Sequence, residues 1–267
     1  MNQQSQVAVV GAGIMGEALI SALISSGVNP ELITISEKRA DRSAELIAKY
    51  SIRQAPLATN VAAADAILLV VKPQDMAAVL EEIKEFINPA AVVITFVAGK
   101  TISFISSALG TTNPVIRVMP NTPTMVGAGM AAASMGAGVT DDHKKFVLGF
   151  LAATGKVIEV SEDLQDAVTA TSGSGPAYFF AFVEAMVAGA KELGLSQEDA
   201  TTLTIQTIVG AAKLLDESGK SATTLRENVT SPNGTTAAAL ASFGAGDLNS
   251  MVAKAMKAAS DRSQELA

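Results

Sequence analysis

Short apolar runs and helical stripes alternate along the first part of the chain. Val7–Val10 is an apolar, β-branched run closed by Gly11, the pattern of a strand buried on both faces. Ile14, Ala18, Leu19, Ala22 and Leu23 follow at helical spacing, and Gly27 closes that helix. The same patterns predict strands at 32–36, 66–71, 92–97 and Val115–Met119, with helices at Ala40–Tyr50, 76–86 and Ile102–Leu109. Lys72-Pro73 and Pro120 each stop a strand. A strand around 130–134, a helix over 143–153 and a strand at 157–160 complete this region. Strands alternating with helices predict an α/β domain on a doubly wound parallel sheet.

After about Ser161 the strand pattern ends. Residues 164–171, 177–193, 197–218, Ala222–Asn228, 236–243 and 248–266 all carry helical patterns, punctuated by Gly173 to Pro176, Gly194, Gly219 and Gly244 to Gly246. The expected organisation is therefore an α/β domain over 1–161 and an all-α domain over 162–267. The helix from Ala177 is apolar nearly all round, with Tyr178, Phe179, Phe180, Phe182, Val183, Met186 and Val187. A helix apolar on every face is buried on every face. In a domain of about a hundred residues, a second subunit most easily supplies that cover.

Composition sharpens this picture. Of 267 residues, 49% are hydrophobic and only 17% charged, so much surface must be buried in a core or between subunits. The net charge is −7 and no Lys/Arg cluster stands out, which argues against nucleic acid and anionic membranes as partners. There is no Cys and a single His, so thiol catalysis, disulfides and multi-His metal sites are excluded and no metal site is expected. His143 lies in a charged run that reads as a solvated helix start. The N-terminal residues lack a signal-peptide pattern. No run reaches the roughly 18 apolar residues of a membrane span, and Glu184 interrupts the longest one. The expectation is a cytoplasmic protein.

Gly11-Ala12-Gly13-Ile14-Met15-Gly16 is a G-x-G-x-x-G between a predicted strand and a predicted helix, the context in which that spacing binds a dinucleotide. The first glycine makes the turn, the second lets backbone approach the pyrophosphate and the third lets helix pack on sheet. Ser36 closes the second strand, and Glu37, Lys38 and Arg39 follow. A hydroxyl and two cations suit the 2′-phosphate of NADPH, while Glu37 leaves NADH open. Lys38 and Arg39 also fit a plain helix start. Val71, Lys72 and Pro73 end a strand at the carboxyl edge, where ligands bind in such sheets; the plain alternative is a helix opening. Asn121 and Thr122 suit a nicotinamide amide, and suit a turn beside prolines slightly better.

Near the other end, Leu225 to Leu240 reads LRENVTSPNGTTAAAL. Thr230, Ser231, Asn233, Gly234, Thr235 and Thr236 surround Pro232 and run into an Ala-rich helix, with no acid, base or metal ligand inside the loop. A simple helix cap explains one polar residue, whereas this loop spends six. Its helix-start N–H groups, at Gly234, Thr235 and Thr236, suit a small carboxylate.

SGSGPAY at Ser172 to Tyr178 and the Leu225–Leu240 run, behind the GAGIMG turn and the VKP strand end, resemble pyrroline-5-carboxylate reductases over essentially the whole chain. The resemblance implies an N-terminal Rossmann-type, NADP-binding domain followed by an all-α dimerisation and substrate-binding domain. It implies reduction of 1-pyrroline-5-carboxylate to L-proline by NADPH or NADH, the last step of proline synthesis, in dimers or assemblies of dimers. Thr236 would meet the ring nitrogen as hydrogen-bonding group and proton donor. Ser231, Gly234, Thr235 and Thr236 would hold the carboxylate, and Glu162 matches a substrate-pocket position. Lys38, Val71 to Pro73, Val97, Ala98 and Asn228 match cofactor contacts. Asn233 stands where the family usually has Gly, and Asn tolerates positive φ better than most residues. Asn60 is offset from the family's ribose-contacting asparagine and is not carried over.

Two rival readings remain. A hydroxy-acid dehydrogenase of this architecture would need a Lys or His base; Lys191 and Lys213 are the candidates, and both suit solvated helix faces. A non-catalytic NADP-binding regulator would bind cofactor without turnover, and the Thr-Thr loop argues against it.

Overall fold

The computed structural model describes residues 4–266; residues 1–3 and 267, at the outer ends of the two expected domains, lie outside it. The chain packs as two compact units, one of Met1–Ser174 with Ala259–Ala267, the other of Gly175–Ala258.

The first unit runs β1 (Val7–Val10), α1 (Ile14–Ser25), β2 (Ile33–Ser36), α2 (Ala40–Tyr50), β3 (Arg53–Gln54), α3 (Leu57–Ala63), β4 (Ala66–Leu69), α4 (Met76–Ile83), β5 (Val92–Thr95), α5 (Ile102–Leu109), β6 (Val115–Met119), β7 (Gly129–Met135), α6 (Asp141–Ala152), β8 (Gly155–Glu159) and α7 (Gln165–Val168). A π-helical turn, Thr169–Gly173, extends α7. The eight strands form one sheet in the order β3-β2-β1-β4-β5-β6-β7-β8. Alternate residues of β1 feed its two faces: Val7 and Val9 pack with Leu19, Leu23, Ile35 and Phe150, while Ala8 and Val10 pack with Ile67, Leu80, Val93 and Ile105.

Two features differ from the sequence expectation. β7 runs antiparallel to β6, and β8 then runs parallel to β7. The link between β6 and β7 holds only the short 3₁₀ turn Thr122–Val126, and a parallel return needs a crossover of about a dozen residues or more. The second feature is β3 with α3, which the hydrophobic pattern does not mark: β3 is two exposed polar residues.

The second unit contains α8 (Gly175–Glu192), α9 (Gln197–Glu217), α10 (Ala222–Asn228), α11 (Thr235–Ala245) and most of α12 (Leu248–Glu265). Among residues 175–258, only Gly175, Ala200 and Thr204 are buried in the single chain. Phe179, Phe180, Leu203, Val209 and Met251 are all more than half exposed. One copy of this unit therefore has almost no core of its own, and its apolar faces need a further surface to cover them. No helix among the described residues is long and apolar enough to cross a membrane.

Candidate functional site

A cleft of about 1000 Å³ opens at the carboxyl edge of the sheet, beyond the ends of β1, β2 and β4. The order β2-β1-β4 makes this the point where the sheet's winding reverses, the place where open α/β sheets bind ligands. Gly11, Gly13, Ile14, Ser36, Lys38, Arg39, Val71 and Lys72 line it, together with Glu17, Glu37 and Arg42. Of the other residues expected at the cofactor, Ala12 and Gly16 are buried beneath the turn, Met15 packs on the core, and Pro73 does not border the cleft. Val97 lies in the apolar cluster on one face of the sheet and Ala98 is half-buried; neither lines the cleft.

The three fingerprint glycines have separable causes. Gly11 sits at φ +87, and a side chain there would come within 2.8 Å of the Val70 carbonyl. A side chain on Gly16 would strike the Gly11 carbonyl. Gly13 is different: its φ of −65 and ψ of −160 are extended backbone, and apart from its own chain neighbours no heavy atom lies within 4 Å of the position a Cβ would take. Neither backbone nor packing requires a glycine there. What it leaves is open space over the turn, which fits the close approach of a pyrophosphate.

Polar groups behind the turn are densely paired. Gly11 N–H donates to the Ser36 carbonyl at 3.0 Å. The Ser36 hydroxyl donates to the Ala55 carbonyl and accepts from Asn60 Nδ2, both at 3.0 Å. Asn60 is thereby a buried brace between α3 and β2. Each Glu37 carboxylate oxygen accepts one backbone N–H, from Ala12 at 2.9 Å and from Arg39 at 3.0 Å. Arg39 pairs with Asp41, Arg42 pairs with Glu17 and Glu45, and Lys38 stands exposed on the rim. Glu17 and Arg42 escaped the sequence reading because they look like ordinary charged positions on two different helices; only the fold brings them together.

In the second unit the loop from Thr230 to Gly234 joins α10 to α11. Thr230 Oγ1 donates to the Arg226 carbonyl at 2.6 Å, tying the loop to the helix before it. Asn233 adopts φ +60, the left-handed conformation that Asn tolerates. Gly234 N–H donates to the Ser231 carbonyl at 3.0 Å. This corrects the expectation that the Gly234 N–H faces a ligand: the turn consumes it. Ser231 Oγ also occupies the space a Gly234 side chain would need. Gly234 caps α11 without any side-chain bond to the helix start, so the N–H groups of Thr235 and Thr236 have no partner within the helix. Ser231 and Thr235 are exposed, Thr236 is half-buried, and Asn228 is exposed at the end of α10.

Glu162 belongs to the first unit. Its Oε1 accepts the Ile102 N–H at 2.7 Å, at the start of α5, and lies 3.3 Å from Arg117. Asn121 is fully used: Oδ1 accepts the Met130 N–H and Nδ2 donates to Ser172, which gives it the turn role. Among the described residues no group of three or more His, Asp or Glu is placed to hold a metal. Lys191 is exposed, and Lys213 faces Glu217 on its own helix.

Comparison with known proteins matches residues 162–266 to the family described as pyrroline-5-carboxylate reductase dimerisation. Residues 6–99 match the family described as NADP oxidoreductase, coenzyme F420-dependent. Pyrroline-5-carboxylate reductase of Pseudomonas aeruginosa is 39% identical over 264 residues, covering 98% of this chain and 97% of its own. Pyrroline-5-carboxylate reductase 1 of Bacillus subtilis is 36% identical over 266 residues, covering 98% and 90%. Among solved structures, a pyrroline-5-carboxylate reductase from Coxiella burnetii superposes with a TM-score of 0.90 at 35% identity, covering 98% of both chains. Plasmodium falciparum pyrroline carboxylate reductase with NADP bound gives 0.88 at 27% identity, covering 100% of this chain and 99% of that one. With relatives this similar over nearly the whole length, the chain belongs to the pyrroline-5-carboxylate reductase family.

Proposed function

We propose that this chain reduces the C=N bond of 1-pyrroline-5-carboxylate to L-proline with NADPH as the preferred cofactor, NADH being accepted. The observation that carries the assignment of roles is the start of α11, where the unspent N–H groups of Thr235 and Thr236 stand beside hydroxyls, with no acid or base among them. Such a helix start suits the substrate carboxylate, and Ser231 and Gly234 shape the turn in front of it. When bound, the reduced nicotinamide supplies hydride to the imine carbon. The ring nitrogen of a cyclic imine is basic enough to carry a proton beforehand, so the chain needs little acid–base machinery. Thr236 hydrogen-bonds that nitrogen through its hydroxyl and relays the proton. Holding the carboxylate fixes which carbon is presented, so catalysis is largely orientation. Glu162 contributes to the substrate pocket.

Gly11 to Gly16 receive the pyrophosphate. Ser36, Lys38 and Arg39 stand at the adenosine end, with Val71 and Lys72 on the cleft wall. The preference for NADPH is supported by Lys38, exposed on the cleft rim. The Glu37 carboxylate already accepts two backbone N–H groups, which lessens its repulsion of a 2′-phosphate. The second unit pairs with that of another copy, supported by its exposed phenylalanines and near absence of a core.

The test follows oxidation of NADPH and NADH at 340 nm with pyrroline-5-carboxylate. Oxidation of both, faster with NADPH at low cofactor, is expected; no oxidation of either would overturn the assignment. Thr236→Ala should lower kcat about 10- to 100-fold, the scale of a lost proton-transfer or charge-stabilising group, with cofactor affinity unchanged. A loss of NADPH affinity alone would refute the role given to Thr236.

A further inference from the structure

Ala12, inside the glycine-rich turn, has its two flanking peptide groups held by separate side chains that follow β2. Its N–H donates to Glu37 Oε2 at 2.9 Å, and its carbonyl accepts from Arg42 Nε at 3.1 Å. Arg42 is not a loose surface arginine. Its side chain is only 13% exposed, and its remaining nitrogens meet Glu17 and Glu45. Glu17 is itself held by Lys49 Nζ at 2.8 Å and the Tyr50 hydroxyl at 3.1 Å. Burial pushes the Glu17 carboxyl up, but hydrogen bonds from Lys49, Arg42 and Tyr50 outweigh it and hold its pKa at about 2. The carboxylate is therefore ionised at any working pH, and the arginine keeps its anchor.

The turn needs such a hold. Gly11 and Gly13 give it more conformational freedom than any other residues would, and ordering that backbone costs conformational entropy. A turn left loose would have to be ordered by the ligand, at the expense of affinity. Arg42 cannot act here chiefly as a positive charge, because two carboxylates already neutralise it. Its contribution is geometric: a planar fork with one prong on Ala12 and another on the Glu17 carboxylate, itself held by Lys49 and Tyr50.

We propose that Arg42, anchored by Glu17, is a positioning residue for the dinucleotide, which fixes the Ala12–Gly13 peptide so that the glycine-rich turn is already in its binding conformation before any ligand arrives. This rests on the cleft being the cofactor site. It adds to that reading a clamp shared by both cofactors, acting on the turn and not on the 2′-phosphate.

The clamp predicts a distinctive pattern. Arg42→Gln should raise the dissociation constants of NADPH and NADH by the same factor, about tenfold as lost preorganisation, leaving their ratio unchanged. At saturating cofactor, kcat and the KM for pyrroline-5-carboxylate should stay within about twofold, since the chemistry is untouched. Arg42→Lys keeps a cation for Glu17 but loses the fork, so it folds readily and should show a smaller loss of the same kind; it decides the matter if the Gln variant is insoluble. Binding is read by quenching of nucleotide fluorescence with purified protein, alongside a thermal melt. A loss confined to NADPH would overturn the proposal, since it would make Arg42 a direct phosphate ligand. So would unchanged affinities with a lowered melting temperature, which would make it merely structural. The cleft itself is tested separately: Gly13→Val, which fills its open space, must abolish binding of both nucleotides. If that variant binds them normally, the cofactor site is wrong, whatever Arg42 does.

Discussion

Ser263, close to the end of α12, donates its hydroxyl to Asp166 Oδ1 at 2.7 Å, across 97 positions of sequence. The serine is buried. Asp166 in turn lies 3.6 Å from Arg117, which also faces Glu162 at 3.3 Å. Arg117 projects from β6 and is 5% exposed, so two carboxylates face one buried guanidinium, and the Ser263 hydroxyl bonds one of them. The same C-terminal segment covers Gly99, at φ +74, where a side chain would lie 2.6 Å from Leu266 Cβ. Ser263 and Leu266 are thus built into the unit that carries the sheet.

This cluster predicts a graded loss of stability. Ser263→Ala removes one hydrogen bond to a charged acceptor and should cost about 1.5–3 kcal/mol. Arg117→Met leaves Glu162 and Asp166 without their cation. Both acids are partly open to water, so the cost should fall below the about 3–5 kcal/mol of breaking a fully buried pair. In urea unfolding at fixed protein concentration, the double variant should lose less than the sum, because both residues act through Asp166. Strict additivity would show that the two contacts are independent.

Asn233 makes a separate prediction about backbone. Its φ of +60 costs an ordinary L-residue about 1–2 kcal/mol. Asn233→Ala should therefore destabilise the α10–α11 loop by about 1 kcal/mol and raise the KM for pyrroline-5-carboxylate. Asn233→Gly should keep wild-type kinetics, since glycine takes this conformation freely. If the Ala variant matches wild type in both melting temperature and KM, the left-handed turn is not what shapes the site.

Much of this fold was legible in the sequence because its strands are buried on both faces. Val7–Val10, Val92–Thr95 and the helix Ala40–Tyr50 announce themselves by apolar runs or a clean amphipathic period. The direction of β7 was not legible, since an apolar run such as Gly129–Met135 reads the same whether its neighbour is parallel or antiparallel. β3 was hidden because Arg53 and Gln54 bury nothing. The left-handed turn at Asn233 was legible from chemistry alone, through the tolerance of Asn for positive φ. The Glu17–Arg42 pair was not: each is one charged residue in an amphipathic helix, and charges normally mark the wet face. Gly234 shows the limit in the other direction, because a glycine before a helix suggests a free N–H, and only the turn geometry reveals that Ser231 takes it.

His143 gives a pH dependence of known sign. It closes a reciprocal cap on α6: its N–H donates to Thr140 Oγ1, and its Nδ1 accepts the Thr140 N–H, both at 3.3 Å. Accepting at Nδ1 requires that nitrogen to be unprotonated. Burial lowers the His143 pKa below its ordinary 6.5, so the unfolded chain takes up a proton before the folded one does. The cap's contribution is complete above pH 6.5 and is lost as pH falls through the depressed folded value. Between pH 7 and pH 5 the wild type should lose up to about 1 kcal/mol, the worth of a cap, relative to His143→Gln, whose amide can cap without titrating. Parallel stability curves for the two proteins would rule out a titrating cap.

The glycines of the fingerprint should separate cleanly on substitution. Gly16→Val drives a side chain into the Gly11 carbonyl, 2.5 Å from the ideal Cβ position, so the turn or α1 must move. It should melt earlier by several degrees, the shift expected of about 2 kcal/mol or more in a chain of this size. Gly13→Val adds a Cβ that meets no heavy atom within 4 Å beyond the adjacent residues, on an extended backbone. It should melt at or slightly above the wild-type temperature, because valine restricts the unfolded chain more than glycine does. Its defect should appear only with ligand: NADPH, which stabilises the wild type by mass action, should no longer raise its melting temperature. Paired melts with and without NADPH read both effects in one experiment. A Gly13→Val protein that melts early would mean that this glycine serves packing after all, and one that still gains stability from NADPH would remove the turn from the binding site.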